Sequence, residues 1–268
     1  MSTRFHISVP ITVGLAALLA LGAAPAYSDD KSDLAKAAQN PVANMISLPF
    51  QDNLNFNVGP EEGTQNVLNI QPVWPFGVND DWNIITRTII PIVSQPPTSV
   101  GGDRTNGLGD TTFTAWLSPA EPGAVIWGAG PAFLIPTSTS NQLGAGEFGL
   151  GPSVLILMMP DPWVIGSLFS NVWSVTGDKS VNLFTWQVIA NFNLADGWYL
   201  TSVPIITADW KQEKGNRWTV PLGGGVGKIM KLGKMPVNGQ IQAFYNVVHP
   251  DDGPNWSMRF QLQLLFPK

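Results

Sequence analysis

The sequence predicts an all-β protein: a transmembrane, antiparallel, up-and-down β-barrel of about twelve strands behind a cleaved signal peptide. Three observations carry this expectation. Apolar and polar residues alternate with period two in segments that recur about every twenty residues, as lipid outside and water inside require. The connections between those segments tend to alternate between short and long. Tryptophans, eleven in all, gather at segment ends, where an indole suits the boundary between hydrocarbon and headgroups.

The chain opens with a secretion signal over residues 1–26. Arg4 gives a positive start, residues 11–24 are an apolar run, and Ala24-Pro25-Ala26 supplies a cleavage site. That run is too short for a spanning helix, and no later one is longer. Residues 27–46 read as a polar periplasmic lead, its stretch 29–40 either a short helix or flexible, and residues 47–268 as the barrel.

Alternation places the strands at 47–58, 65–76, 82–93, 108–117, 124–136, 147–159, 163–174, 181–194, 198–210, 217–227, 237–248 and 256–266. The last is the clearest. Trp256, Met258, Phe260, Leu262, Leu264 and Phe266 share one face, Ser257, Arg259, Gln261 and Gln263 the other, and Leu265 is the exception. The first turns Leu48, Phe50, Leu54, Phe56 and Val58 outward, with Asp52 out of place among them. The eighth turns Phe184, Trp186, Val188, Ala190, Phe192 and Leu194 outward, opposite Thr185, Gln187, Asn191 and Asn193, and the eleventh Ile241, Ala243, Tyr245 and Val247. The fifth, sixth and seventh alternate poorly.

Even-numbered connections are tight, except for 228–236, and the longest, 94–107 and 137–146, are odd-numbered. Short turns on one rim and long loops on the other is the layout of an outer-membrane barrel. Nine tryptophans, Trp116 among them, fall near strand ends, whereas Trp127 and Trp186 fall mid-strand and fit no girdle. Pro72, Pro75, Pro91, Pro131, Pro152, Pro204 and Pro221 lie inside the proposed strands. Each removes a ladder donor, so bulges or rim positions are expected at several of them.

Composition narrows function. Charged residues make up 12%, about half the usual share of a soluble domain. The formal charge of −5 becomes −6 once Arg4 is cleaved away, which excludes nucleic acid as an expected partner. There is no cysteine, so disulfides and His/Cys metal clusters are ruled out, and no cofactor is expected. After cleavage His249 is the sole histidine. A membrane lipid hydrolase would have to use it, without a G-x-S-x-G elbow. The run Gly223-Gly224-Gly225-Val226-Gly227-Lys228 lacks the first glycine and the Ser/Thr of a phosphate loop. Small residues there let a strand bend or a bulky neighbour pack across the lumen.

Charges inside strands are the candidate lumen residues. Arg87 facing lipid would cost about 2–4 kcal/mol, so it points inward and sets Ile84, Thr86, Thr88 and Ile90 outward. Asp110, Glu147, Asp209, Arg217 and Arg259 fall on the same kind of polar face. Either arginine–carboxylate pairs neutralise one another and plug the barrel, the reading slightly favoured by packing in small barrels, or the charges line a pore.

The segments 40–51, 65–73 and 82–91, followed by Gly107-Leu108-Gly109-Asp110, resemble a family of Gram-negative outer-membrane proteins named for the meta-cleavage pathway of phenol degradation. Its members are often labelled transporters, and some carry the misleading label neuromedin U. The resemblance implies an outer-membrane barrel passing small hydrophobic or aromatic compounds, and it carries over no site residue.

The expectation is therefore a monomeric, non-enzymatic barrel of the cell outer membrane, in contact with lipid. It passes a small-molecule solute by passive diffusion, with Arg87, Asp110, Glu147, Asp209, Arg217 and Arg259 tuning selectivity. The alternatives are a plugged structural anchor, a lipid hydrolase using His249, and a secreted soluble β-sandwich.

Overall fold

A computed structural model describes residues 36–177, 180–233 and 235–266. The signal peptide read over 1–26, and the lead up to residue 35, lie outside the described residues.

Twelve antiparallel strands form one closed sheet. They are β1 (Ile46–Val58), β2 (Gly63–Ile70, resuming as Val73–Gly77), β3 (Trp82–Gln95), β4 (Thr105–Leu108, resuming as Thr111–Pro119), β5 (Val125–Ile135) and β6 (Gly149–Met158). Then follow β7 (Trp163–Ser174), β8 (Asn182–Asn193), β9 (Trp198–Ser202, resuming as Ile205–Asp209), β10 (Trp218–Leu232), β11 (Met235–Val248) and β12 (Trp256–Phe266). Each strand pairs with its neighbours in sequence, and β12 closes on β1 from Ile46↔Phe266 to Phe56↔Trp256. Closure removes the sheet edges that would otherwise leave backbone groups unpaired in lipid.

The expected registers hold on β3, β8, β11 and β12, and on β1 as far as Phe56; the register then shifts at Asn57, whose φ is 62°, and Val58, expected outward, is buried. Ile84 is exposed while Ile85 is buried, so Arg87 shares the inner face with Asn83 and Ile85. The turn expected at 228–236 is a correction. Strands β10 and β11 run on through Lys228↔Gly239 to Leu232↔Met235, leaving a tight turn, so the exception to the short-turn rule disappears.

Six of the seven prolines sit at irregularities or outside one ladder, as the lost donors demand, while Pro91 keeps a regular pairing with Asn69. Pro72 and Pro204 fall in the breaks of β2 and β9. Pro131 falls where β4–β5 pairing skips from Thr114↔Ala132 to Leu117↔Ala129, and Pro152 where β6–β7 pairing skips from Leu150↔Trp173 to Ser153↔Ser170. Pro221 marks the register shift of β10 against β11. Pro75 lies beyond the reach of β1, whose only pairing with that part of β2 is Ser47↔Val73.

Two aromatic belts result. On the short-turn rim Trp82 meets Trp127 edge-on, centroids 5.9 Å apart, and Trp163 meets Phe192 likewise at 4.8 Å. On the other rim Phe56 stacks on Trp256 at 4.0 Å and Trp210 meets Trp218 at 5.3 Å. Trp127, near the start of β5, therefore belongs to a belt. Trp116 does not: it is buried, points inward and donates Nε1–H to Ser153 Oγ at 3.0 Å. Trp186 faces outward at mid-strand, stacked on Phe169, and gives its N–H to the outward Ser167 at 3.1 Å. That bond satisfies the indole donor without a water interface.

Residues before β1 occupy the short-turn end of the lumen. Residues 36–39 are helical. Val42 joins a buried cluster with Ile85, Trp116, Ile126, Leu155, Leu157, Val164, Leu168 and Ile189. Ala38 and Met45 join a second with Tyr199, Ile229 and Leu265. These inward apolar side chains explain the poor alternation of β5–β7 and the exception at Leu265. An inner wall that packs against an apolar segment is apolar there too.

The glycines of β10 serve that interior. A Cβ on Gly227 would fall 2.1 Å from Tyr199 Cζ, and one on Gly225 1.8 Å from the Ile241 carbonyl oxygen. Gly227 thus leaves room for the inward Tyr199 ring, whose hydroxyl donates to Asn238 Oδ1 at 2.6 Å.

Candidate functional site

Three cavities follow one another through the lumen. The outermost, about 540 Å³, lies at the long-loop mouth among Gln65, Asp110, Gln142, Leu143, Leu183 and Asp209. The middle one, about 180 Å³, shares Leu134 and Leu183 with the first. The innermost, about 110 Å³, rests on residues 37–41 and shares Gln51, Gln71, Arg87 and Gln187 with the middle one.

The loop between β5 and β6 folds into the mouth because Asp110 holds it. Asp110 stands in the break of β4, and its Oδ1 accepts the Ser138 N–H at 3.1 Å and its Oδ2 the Gly146 N–H at 3.0 Å. Thr137 Oγ1 donates to the Gly109 carbonyl at 2.9 Å. Leu143 is buried beneath this loop. At the opposite end Gln39 Nε2 donates to Asn193 Oδ1 at 2.8 Å, and Lys36 Nζ lies 2.8 Å from Asp161 Oδ1 in the β6–β7 turn.

The waist holds two arginines, each anchored where a proline interrupts a strand. Arg87 Nη2 donates to Gln71 Oε1 at 2.6 Å, beside the Gln71-Pro72 break of β2. Arg259 Nε donates to Asn53 Oδ1 at 3.0 Å and its Nη1 to the Val203 carbonyl at 2.7 Å, beside the Val203-Pro204 break of β9. There the ladder is broken and the Val203 N–H instead donates to Gln242 Oε1 at 3.0 Å. The Arg259 guanidinium also lies 5.0 Å from the Phe244 ring centre, within cation–π range. Both arginines line the innermost cavity.

Of the six charges singled out in the sequence, the structure brings Arg87 and Arg259 together at the waist and Asp110 and Asp209 at the mouth. Asp209 spends its oxygens on the β9–β10 loop, accepting from Lys211 N–H at 3.0 Å and Gln212 Nε2 at 3.1 Å. Glu147 is buried against Gly177 of the β7–β8 loop. Arg217 braces the β9–β10 loop through Nε to the Gln212 carbonyl at 2.8 Å. Among the described residues no arginine–carboxylate salt bridge is formed. Among the described residues the one salt bridge is Lys36–Asp161, and both lumen arginines bind neutral oxygens.

Sequence reasoning missed Gln51, Gln71 and Trp116 as lumen residues, and it missed the inserted segment. The glutamines alternate with apolar residues and were legible as an inner face. Trp116 was hidden by its place near a strand end. His249 lies in the β11–β12 loop with Nδ1 2.9 Å from the Pro250 carbonyl, and no serine or carboxylate hydrogen-bonds it among the described residues. No group of His, Cys, Asp and Glu suited to a metal occurs among them.

Solved structures share this architecture. The COG4313 outer membrane channel from Pseudomonas putida F1 superposes with a TM-score of 0.60 at 18% identity, over 83% of this chain and 94% of that one. The chain folds as an outer-membrane β-barrel. A NanC porin aligns more loosely, with a TM-score of 0.49 at 10% identity over 83% of this chain and 100% of that one. The outer membrane phospholipase of Salmonella typhi does so at 0.42 and 11%, over 87% and 96%. No family model and no curated protein sequence matches the chain.

Proposed function

We propose that this outer-membrane barrel is a passive, non-enzymatic channel for small hydrophobic or aromatic solutes, acting as a monomer. The observation that carries the reading is the two-sided wall of the middle cavity. Ala132 and Leu134 of β5 and Leu168 and Val172 of β7 give a mainly apolar side, extended by Trp116 and interrupted by Ser153 of β6 and Ser170 of β7. Gln51 of β1 and Asn69 and Gln71 of β2, about half a turn of the barrel away, give an amide side. A solute with an apolar body and a polar group would exchange water for both walls at once, which lowers the cost of leaving bulk solvent. The resemblance of residues 40–110 to the family named for the meta-cleavage pathway supports the same solute class.

Single-channel recording of the folded barrel in a planar bilayer tests the proposal, because benzyl alcohol crosses lipid unaided and bulk uptake would not report on the protein. The expected result is a steady open current that benzyl alcohol reduces saturably, as a solute occupying the lumen does, and that glucose at the same concentration does not. A current untouched by benzyl alcohol would reject this solute class.

One observation favours a second reading, the plugged anchor. Residues 36–45 fill the short-turn end and bury Val42 and Met45 there. A folded, heat-modifiable barrel that gives no single-channel current would decide for it. The hydrolase reading lacks a partner for His249, and we expect no lipase activity that His249→Ala removes.

A further inference from the structure

At the waist of the lumen two positive charges converge with no negative charge beside them. Arg87 and Arg259 come from β3 and β12, on either side of β1 and β2, and face one cavity. Among the described residues no carboxylate lines that cavity or the middle one. The acids that do line the lumen, Asp110 and Asp209, sit at the mouth and are already taken by loop N–H groups.

The bonds that hold the arginines orient them without neutralising them. An amide oxygen or a backbone carbonyl fixes a guanidinium by one or two N–H groups and leaves its full charge. Among the described residues Arg87 Nε and Nη1, and Arg259 Nη2, meet no protein acceptor. Charges taken from bulk water into a confined protein interior call for an opposite charge or strong hydrogen bonding. The partner missing here is an anion. A guanidinium fork matches a planar carboxylate better than it matches a spherical ion.

What lies next to the arginines sets the rest of the solute. Arg87 also lines the middle cavity, beside Ile89 and Trp116. A molecule with its carboxylate on the arginines would lay its apolar body along these side chains.

We propose that Arg87 and Arg259 form a carboxylate-binding site, and that the solutes of this channel are small monocarboxylates with an apolar or aromatic body. This rests on the conduit reading and names its substrate class.

Calorimetric titration of the full-length, detergent-solubilised barrel tests the site without relying on transport. The ligands are sodium benzoate, benzyl alcohol as its uncharged counterpart, and sodium chloride as a simple anion. Benzoate should bind saturably, and at least tenfold more tightly than either of the others. Arg87→Gln and Arg259→Gln should each weaken it tenfold or more, Arg87→Lys by less, and the loop variant Lys211→Gln not at all. The glutamine variants remove like charges from the interior, so they should fold, and a heat-modifiability gel verifies this. Benzoate bound no better than benzyl alcohol, or unchanged by both glutamine variants, overturns the arginine site and leaves the channel standing. Chloride competing on equal terms overturns the carboxylate assignment in favour of a general anion filter. Arginine-dependent benzoate binding by a barrel that passes no solute supports the site and counts against the conduit alone.

Discussion

Gln39 Nε2 donates a hydrogen bond to Asn193 Oδ1 at 2.8 Å, tying the segment before the first strand to the inner end of β8. The same segment is fastened in two other ways of very different strength. Lys36–Asp161 is an ion pair whose carboxylate side chain is 71% exposed, and such pairs contribute about 0–1 kcal/mol. Val42 is buried among Ile85, Trp116, Ile126 and Leu155, and a buried valine side chain contributes about 1.5–3 kcal/mol. The apolar contact therefore dominates. Val42→Asp should unseat the segment and raise single-channel conductance several-fold, whereas Lys36→Ala should leave conductance within experimental scatter. Equal conductance in Val42→Asp and the parent would show that residues 36–45 do not limit flow.

Gly227 and Tyr199 are matched across β9 and β10. The Tyr199 ring is fully buried and passes where a Gly227 Cβ would lie. Gly227→Ala should cost about 1–3 kcal/mol, as overpacking of a filled interior does. Tyr199→Phe, which leaves the ring but drops the bond to Asn238, should cost about 1 kcal/mol. Urea unfolding in micelles, followed by tryptophan fluorescence, gives both numbers. Removing the ring in the double variant Gly227→Ala with Tyr199→Ala should make the alanine harmless, since the two changes touch one another and are not additive.

Asp52 faces lipid from the middle of β1 and is relieved by Asn66, whose Nδ2 donates to Asp52 Oδ1 at 2.6 Å. A carboxylate on the lipid face costs less than arginine or lysine there, yet still destabilises. Asp52→Leu should stabilise the barrel by up to about 2 kcal/mol and raise the temperature at which it loses its compact gel mobility. A fall instead would mean that the Asp52–Asn66 pair contributes more than hydrocarbon contact does.

Strand existence, facing and register were legible because lipid imposes a period of two on every strand. Arg87, Arg259, Gln240 and Gln242 all face the lumen for that reason. The failures share one cause. Local alternation reports which face is outward, but it cannot show what the inner face touches. Leu265 broke the pattern of β12, and β5 to β7 blurred, because the inner wall there meets Ala38, Val42 and Met45 rather than water. The partner is distant in sequence, so no window of residues contains the explanation. The arginine site was half legible. Both charges stood out, but their neutral acceptors did not, because Gln71 and the Val203 carbonyl are brought to them by breaks at Pro72 and Pro204. The prolines that argued against the strands are the features that shape the waist.

The mouth gives the last expectation. Asp110 closes the β5–β6 loop over the lumen with two charge-assisted bonds, to the Ser138 and Gly146 N–H groups. Bonds of this kind contribute about 1.5–3 kcal/mol each when well made, and exposure at the mouth reduces them. Asp110→Ala leaves the two N–H groups to water and removes these two ties, while others remain: Thr137 Oγ1 to the Gly109 carbonyl, the Thr111 N–H to Thr137 Oγ1, the Thr139 N–H to the Leu108 carbonyl, the Leu108 N–H to Thr139 Oγ1 and Thr105 Oγ1 to Gln142 Oε1. The end of the loop at Gly146 should then loosen while the strands stay paired, because the remaining bonds to β4 hold residues 137, 139 and 142. Limited proteolysis of the folded barrel should cut within residues 136–148 at least tenfold faster in Asp110→Ala, with the heat-modifiable mobility unchanged. Solute entry should rise if this loop gates the mouth. Faster cleavage without faster entry would place the barrier at the segment carrying Val42 instead.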